Sequence, residues 1–143
     1  MAEEEKVLTV NIVTPDGLVY DHHARMLVVE ALDGQLGIMA NHEPLIAPLK
    51  IGEVRVTRVD STDHENAIAV NGGFLEVSHN VASIVADSAE RERNIDLNRA
   101  ESAKARAEKR IQAAKEKHDT DELQRANIAL QRAVNRINVK NHR

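Results

Sequence analysis

Arginines at helical spacing are the residues in this chain best suited to bind a ligand. In and just after the stretch RNIDLNRAESAKAR, residues 93–106, Arg99, Arg106 and Arg110 lie along one edge of the alanine stripe of a predicted helix, and Asp96 lies close to the centre of that stripe. A second line of arginines falls on a second predicted helix, at Arg125, Arg132 and Arg136, roughly opposite the apolar stripe of that helix. Guanidinium groups bind phosphate or carboxylate through paired hydrogen bonds. Two interpretations are open at this point: an anion site, or solvated helix faces whose arginines pair with Glu92, Glu101 and Glu108.

The helices that carry these arginines are predicted from caps and periodicity. Asn94 is a candidate N-cap with Asp96 in the first turn, and the helix extends to about Lys117. A second helix begins near Thr120 or Asp121. The first helix carries an alanine stripe at Ala100, Ala103, Ala107 and Ala114, and the second an apolar stripe at Leu123, Ala126, Leu130, Val134 and Ile137. Alanine permits close approach, so the pattern predicts an antiparallel α-helical hairpin.

The preceding part of the chain has the pattern of an antiparallel β-sandwich or small barrel. Every glycine and proline lies in the first 73 residues, and the segments PDG, LDG and NGG are turn signals. β-branched, alternating segments begin at Leu8, Arg25, Gly52, Ala67, Phe74 and Val81. Alternation places Leu8, Val10 and Ile12 on the buried face of one strand, and Val54 and Val56 on the buried face of another. We therefore expect two domains, a β-sandwich over residues 1–88 and a helical hairpin over residues 89–143.

Composition excludes several classes of function. The chain has no cysteine, so disulfides and thiolate metal sites are impossible, and it has no apolar run typical of a signal peptide or membrane span. It has no phosphate-binding GxxxxGK[ST] loop, no HExxH and no GxSxG, so we do not expect an enzyme.

Charge divides the chain in the same way as periodicity. Residues 1–86 hold 5 Lys/Arg and 13 Asp/Glu, whereas residues 87–143 hold 14 and 10. A net basic hairpin raises the alternative of nucleic-acid binding. Interleaved acidic residues and an aromatic complement of one Phe and one Tyr argue against that class.

Three separated segments, in order, resemble the epsilon subunit of bacterial F-type ATP synthase. They are LDGQLGIMANHEPLIAPLKIGEVRV at residues 32–56, NGGFLEV at 71–77 and ADSAERERNIDLNRA at 86–100. The resemblance implies a non-catalytic, peripheral subunit on the cytoplasmic face of the bacterial cell membrane. Its sandwich would contact the gamma subunit and the ring of c subunits in the central stalk of this proton-translocating complex. Its helical hairpin would reach the alpha and beta catalytic subunits and inhibit ATP hydrolysis.

The resemblance also implies an ATP site on the hairpin. The segment IDLNRA, residues 95–100, is similar to the I/L-D-x-x-R-A motif of family members that bind ATP, which places Asp96, Arg99 and Ala100 at the nucleotide with Glu90 upstream. Further arginines of those members match Arg106, Arg125, Arg132 and Arg136. The ATP would be a regulatory ligand that favours the closed hairpin, with no metal required.

The resemblance also implies that two residues of the first domain contact the rotor. Gln35, in the loop that the family presents to the c ring, stands where many relatives have an acid, and His42 follows Ala40 and Asn41 where many relatives have proline or glycine. An alternative function is a free-standing ATP-sensing module, which shares the hairpin site but has no stalk partner.

Overall fold

The computed structural model describes residues 7–60 and 65–141, which fall into two compact units, Met1–Arg91 and Glu92–Arg143. The first unit contains strands β1 Leu8–Thr14, β2 Gly17–Ala31, β3 Gly34–Met39, β4 Leu45–Arg58, β5 Glu65–Ser78, β6 Val81–Ala86 and β7 Ala89–Arg91. The second contains a 3₁₀ turn at Glu92–Asn94 and helices α1 Leu97–Glu116 and α2 Thr120–Asn141. No helix among the described residues is long and apolar enough to cross a bilayer.

The strands of the first unit form a closed sheet. Their order is β1-β6-β5-β4-β2-β3, β1 also pairs with β2, and β7 pairs with β5. All pairs are antiparallel except β1 with β6. The predicted fold class, a β-sandwich followed by a helical hairpin, is confirmed. β7 adds three residues to the sheet, so the compact unit extends to Arg91.

Alternation along the strands builds one apolar core, as predicted. Leu8, Val10 and Ile12 are fully buried, as is Val56, while the intervening residues are at least partly accessible. Each valine, leucine or isoleucine buried in this way contributes roughly 1.5–3 kcal/mol.

The NGG segment does not form the predicted turn. It lies inside the continuous strand β5, where Gly72 and Gly73 have φ values of +89° and +129°. A Cβ on Gly73 would come within 2.0 Å of the Val85 carbonyl oxygen. Positive φ therefore serves here to bend a strand and bring its neighbour close, whereas Pro15–Asp16 and Leu32–Asp33 do form turns.

Helix α1 begins later than the sequence predicts, because Asn94 belongs to the 3₁₀ turn and Asp96 is the N-cap. The Asp96 carboxylate accepts a hydrogen bond of 3.2 Å from the backbone N–H of Arg99. An oxygen-bearing side chain in extended backbone at this position satisfies an N–H that the helix leaves unpaired. The start of α2 at Thr120 is as predicted.

The helices pack along small residues. On α1 the buried residues are Ala100, Ala107 and Ala114, at every seventh position, and α2 buries Ala126 and Ala133. The predicted alanine stripe of α1 is confirmed at these three positions, with Ala103 only partly buried. The predicted stripe of α2 is wrong in detail, because only its alanine is fully buried and Leu123, Leu130, Val134 and Ile137 are partly exposed.

One carboxylate joins the two helices near their connecting turn. Glu122 on α2 accepts from Arg110 Nε on α1 at 2.8 Å and from Arg125 Nε at 3.4 Å. These hydrogen bonds and the two positive charges hold the pKa of Glu122 below its usual range. We call this three-residue cluster the Glu122 clasp.

The sole tyrosine lies in the sandwich core. Tyr20 on β2 donates its hydroxyl proton to Asn66 Oδ1 at 2.7 Å, and the Arg91 guanidinium carbon lies 5.2 Å from its ring centroid. Burial raises the pKa of Tyr20 to about 12.

We predict that Tyr20 ionises late and that its ionisation unfolds the sandwich. Because the folded state holds the phenol neutral, this contribution to stability is complete below about pH 10 and is lost as pH rises toward about 12. The absorbance of tyrosinate reports this residue alone. A midpoint near that of free tyrosine in the folded chain would contradict the prediction, and Tyr20→Phe, which removes the titration and costs about 1 kcal/mol of stability, is the control.

We predict that Glu122→Gln lowers the thermal stability of the hairpin near neutral pH but not in acid. The pKa of Glu122 is depressed in the folded chain, so its stabilising effect is present above its unfolded value of about 4.5 and is lost as pH falls through the folded value. Thermal unfolding followed by helical circular dichroism at several pH values measures the difference. Glu108→Gln is the matched control, since Glu108 is exposed and pairs with Lys104 of its own helix at 4.0 Å. Equal loss in both variants would show that the clasp adds nothing.

Candidate functional site

The residues predicted to bind ATP are distributed over both compact units. Glu90 lies in β7 of the first unit, where it pairs with Ala69 of β5, and the remaining seven lie on the hairpin. Asp96 is exposed but its carboxylate already caps α1. Its capping bond to the backbone N–H of Arg99 links two motif residues directly, so part of the motif is explained by helix initiation.

A groove on the side of α1 brings Arg99 and Arg106 together. Its volume is about 300 Å³, and its lining residues are Asn98, Arg99, Ser102 and Arg106, all exposed. Among the described residues no carboxylate pairs with either guanidinium. This groove is therefore a place where positive charge is available to a ligand.

Ala100 does not line that groove. It is 3% exposed and belongs to the buried alanine face of α1, about 100° to 160° around the helix from the residues that line the groove. In this structure its small side chain permits close packing of the helices.

Two contacts fix how α2 lies alongside α1. Arg110 pairs with Glu122 near the turn, and Lys140 Nζ donates to the Glu92 carbonyl oxygen at 3.2 Å near the other end. In an antiparallel pair each step along one helix is matched by a step back along the other. Counted back from the Arg110–Glu122 pair, this register places Arg132 roughly level with Ala100.

The other arginines of α2 follow from this register. Arg125 is level with Ala107, and Arg136 is level with Asp96. Arg132 and Arg136 thus lie beside the IDLNRA segment, although neither lines the groove on the side of α1.

The α2 arginines differ in their surroundings. Arg125 is exposed and belongs to the Glu122 clasp, whereas Arg132 and Arg136 are partly buried. Arg132 Nε is buried and has no hydrogen-bond partner within residues 7–60 and 65–141. The expectation that all three lie opposite the buried stripe is wrong for the last two, because Ala133, Asn135 and Val139 bury several sides of the C-terminal half of α2.

The structure supports a different interpretation for different arginines. Arg110 and Arg125 form ion pairs, but with Glu122 and not with the expected Glu92, Glu101 or Glu108. Sequence reasoning missed Glu122 because its partner Arg110 is close only after the hairpin turn is made. Asn98 and Ser102 were also missed; the available signal was that Asn98, Ser102 and Arg106 follow one another at intervals of four residues.

The predicted rotor-contact residues lie on the sandwich. Gln35 is in edge strand β3, not in a loop, and its Nε2 donates to Glu30 Oε1 at 2.8 Å. His42 is exposed in the loop between β3 and β4, where its Nδ1 donates to the Glu43 carbonyl at 2.7 Å. Asn41 takes the left-handed φ of +68° that a glycine would supply, so the departure from the family pattern keeps the turn.

The part of the chain that the structure describes contains no group of three or more histidine, aspartate or glutamate side chains arranged to hold a metal ion.

Each of the two units matches a known protein family. The model of the ATP synthase delta/epsilon chain β-sandwich domain matches residues 7–92, and the model of the delta/epsilon chain long α-helix domain matches residues 93–141. The ATP synthase epsilon chain of Latilactobacillus sakei subsp. sakei (strain 23K) is 73% identical over 142 residues, covering 99% of this chain and 98% of that protein. The epsilon chain of Lacticaseibacillus casei (strain BL23) is 71% identical over 140 residues, covering 98% of each.

Solved structures show the same fold. A chain in the Euglena gracilis mitochondrial ATP synthase OSCP/F1/c-ring structure superposes with a TM-score of 0.73 at 19% identity, over 91% of this chain and 79% of that one. A chain in the Tetrahymena thermophila mitochondrial ATP synthase central stalk/c-ring structure gives 0.52 at 14% identity, over 64% and 71%. Because both domain models and full-length relatives match, this chain belongs to the ATP synthase delta/epsilon chain family.

Proposed function

We propose that this chain is the central-stalk subunit that couples the rotor of a proton-translocating F-type ATP synthase to its catalytic head. Its C-terminal helices inhibit ATP hydrolysis, and ATP bound to the hairpin favours the closed form. The subunit is peripheral, on the cytoplasmic face of the bacterial cell membrane. Its partners are the gamma subunit and the c ring through the sandwich, and the alpha and beta subunits through the helices.

The observation that carries the ATP proposal is positive charge without a partner at one end of the hairpin. Arg99 and Arg106 have no ion pair among the described residues, and Arg132 Nε is buried without a hydrogen bond, level with Ala100. At the turn end, by contrast, Glu122 compensates Arg110 and Arg125. A buried N–H without a partner is costly, so an anion that supplied an acceptor would stabilise this arrangement.

ATP would act as a latch on the closed form. Like charges on the two helices repel when the hairpin closes, and a triphosphate cancels that repulsion. A ligand that binds one state preferentially stabilises it by RT ln(1 + [L]/Kd), so low ATP favours the open, inhibitory form.

An exposed apolar row supports stalk contacts by the sandwich. Val13, Val85, Phe74 and Pro48 are successive cross-strand neighbours on β1, β6, β5 and β4, and all four are exposed. A contiguous apolar surface of this kind is typical of an interaction site. Gln35 and His42 on the same unit offer polar groups for a second contact.

We predict that removing residues 92–143 leaves the chain assembled with its complex but relieves inhibition. The sheet ends at Arg91, so the truncated chain retains every strand. Co-purification of the tagged chain from detergent-solubilised membranes measures assembly, and ATP hydrolysis by the purified complex measures inhibition. Loss of assembly on truncation would contradict the stalk contacts, and a full-length chain that purifies alone would favour the free-standing ATP sensor.

We predict that Arg99→Ala and Arg132→Ala each weaken ATP binding to the isolated chain about tenfold or more, because each removes a charged hydrogen-bond donor. Titration calorimetry measures the change. Arg55→Ala is the matched control, since Arg55 lies on the sandwich and pairs with Glu53 at 3.6 Å.

Asp96 needs a substitution that preserves the cap. Asp96→Ser retains a capping oxygen while removing the charge, so a loss of ATP affinity would report ligand contact rather than helix fraying. Unchanged affinity in all three hairpin variants would mean that the motif only starts a helix.

A further inference from the structure

We infer that Asn80 is a positioning residue for the rotor contact, because its side chain holds the loop between β3 and β4 in the shape that presents His42. This inference rests on the proposed function, which assigns His42 to the rotor, and extends it to a residue on a different turn of the sandwich.

The loop between β3 and β4 spans residues 40–44, of which residues 41–44 are exposed. Two of its hydrogen bonds are local. The His42 backbone N–H donates to the Met39 carbonyl at 3.3 Å, and His42 Nδ1 donates to the Glu43 carbonyl at 2.7 Å. Bonds of this kind shape the loop but do not fix it to the rest of the sandwich.

A third hydrogen bond joins this loop to a distant part of the chain. The backbone N–H of Asn41 donates to Asn80 Oδ1 at 2.6 Å, across 39 positions of sequence. Among the hydrogen bonds that residues 40–44 make within the described part of the chain, this is the one that reaches beyond neighbouring residues.

Asn80 is itself fixed to the sheet. With His79 it forms the two-residue turn between β5 and β6, where φ is +51° at His79 and +62° at Asn80. Two successive left-handed residues are typical of the type I′ turn of a tight hairpin. The Asn80 carbonyl accepts from the Thr9 N–H of β1 at 2.9 Å, and the strand pair next to the turn is buried at Val77 and Ala82.

The turn alone does not require the Asn80 side chain. Glycine adopts a left-handed φ without steric cost, so it would suit the backbone at this position. Glycine cannot supply the side-chain oxygen that accepts from Asn41. The side chain is therefore explained by the loop that it holds rather than by the turn in which it lies.

A loop held in one shape loses less conformational entropy when it binds a partner. Without the Asn80 bond, residues 40–44 would sample more conformations, and the contact itself would have to order His42. Asn80 thus acts on the rotor contact through the loop.

Two glycine substitutions in the same turn separate the side chain from the backbone. Asn80→Gly keeps the left-handed backbone and removes the acceptor oxygen. His79→Gly is the matched control, since it also keeps the backbone but removes a ring that contacts Ser78 Oγ at 2.8 Å, within the hairpin. Asn80→Asp retains an acceptor oxygen and should restore the bond to Asn41.

Hydrogen exchange of the Asn41 amide, followed by NMR on the isolated full chain, measures the bond directly. We expect exchange to be at least tenfold faster in Asn80→Gly than in the wild type, His79→Gly or Asn80→Asp. Circular dichroism verifies that each variant retains its fold.

Competition for the complex measures the consequence. Each tagged variant is co-expressed with the untagged wild-type chain, the complex is purified through another of its subunits, and mass spectrometry gives the ratio of the two forms. We expect Asn80→Gly and His42→Ala each to be under-represented about three- to tenfold. His79→Gly and Asn80→Asp should lie within about twofold of the wild type.

The outcomes separate this inference from the proposed function. If His42→Ala is under-represented and Asn80→Gly is not, the inference is overturned while the proposed rotor contact stands. Equal exchange of the Asn41 amide in Asn80→Gly and the wild type also overturns the inference. If neither Asn80→Gly nor His42→Ala is under-represented, the His42 contact and its positioning by Asn80 are both overturned.

Discussion

The hairpin depends on a contact between small side chains. Ala100, Ala107 and Ala114 on α1 are buried, as are Ala126 and Ala133 on α2, and the shared register sets Ala100 opposite the neighbourhood of Ala133. Alanine lets the two backbones approach, but each methyl group removes little apolar surface from water, worth about 0.8 kcal/mol. The sandwich instead buries many valine, leucine and isoleucine side chains. One chain thus combines a strongly packed unit with a weakly packed one.

Because apolar packing between the helices is weak, charge interactions contribute a larger part of the free energy that holds the helices together. The Glu122 clasp compensates two arginines next to the turn, so that end of the hairpin is tied by both chain connectivity and ion pairing. Toward the other end, Lys140 bonds the Glu92 carbonyl, while Arg99 and Arg106 have no ion pair among the described residues. The end that contains the IDLNRA segment is therefore where a bound anion has the greatest effect on closure.

The sequence predicts those features that depend on local periodicity. Alternation identifies the buried faces of β1 and β4, and the alanine spacing identifies the buried face of α1. Predictions fail where tertiary contacts override local signals. The NGG segment resembles a turn because glycine tolerates positive φ, yet the close approach of Val85 uses that freedom inside β5. Arg132 and Arg136 resemble solvent-facing residues, but the C-terminal half of α2 is buried on several sides. The clasp and the groove depend on register and three-dimensional shape, which periodicity does not give.

The weak interface also determines how much stabilisation a ligand must supply to keep the hairpin closed. Under the proposed function, ATP at a hundredfold excess over its Kd stabilises the closed form by about 2.7 kcal/mol. That amount is small beside the core of the sandwich but comparable to the burial of a few alanine methyl groups. A hairpin held by larger apolar side chains would depend less on ATP, and one without the clasp would have to hold its register through the Lys140–Glu92 contact. Under the proposed function, alanine packing combined with the charged clasp keeps the closed form accessible while leaving its population sensitive to ATP.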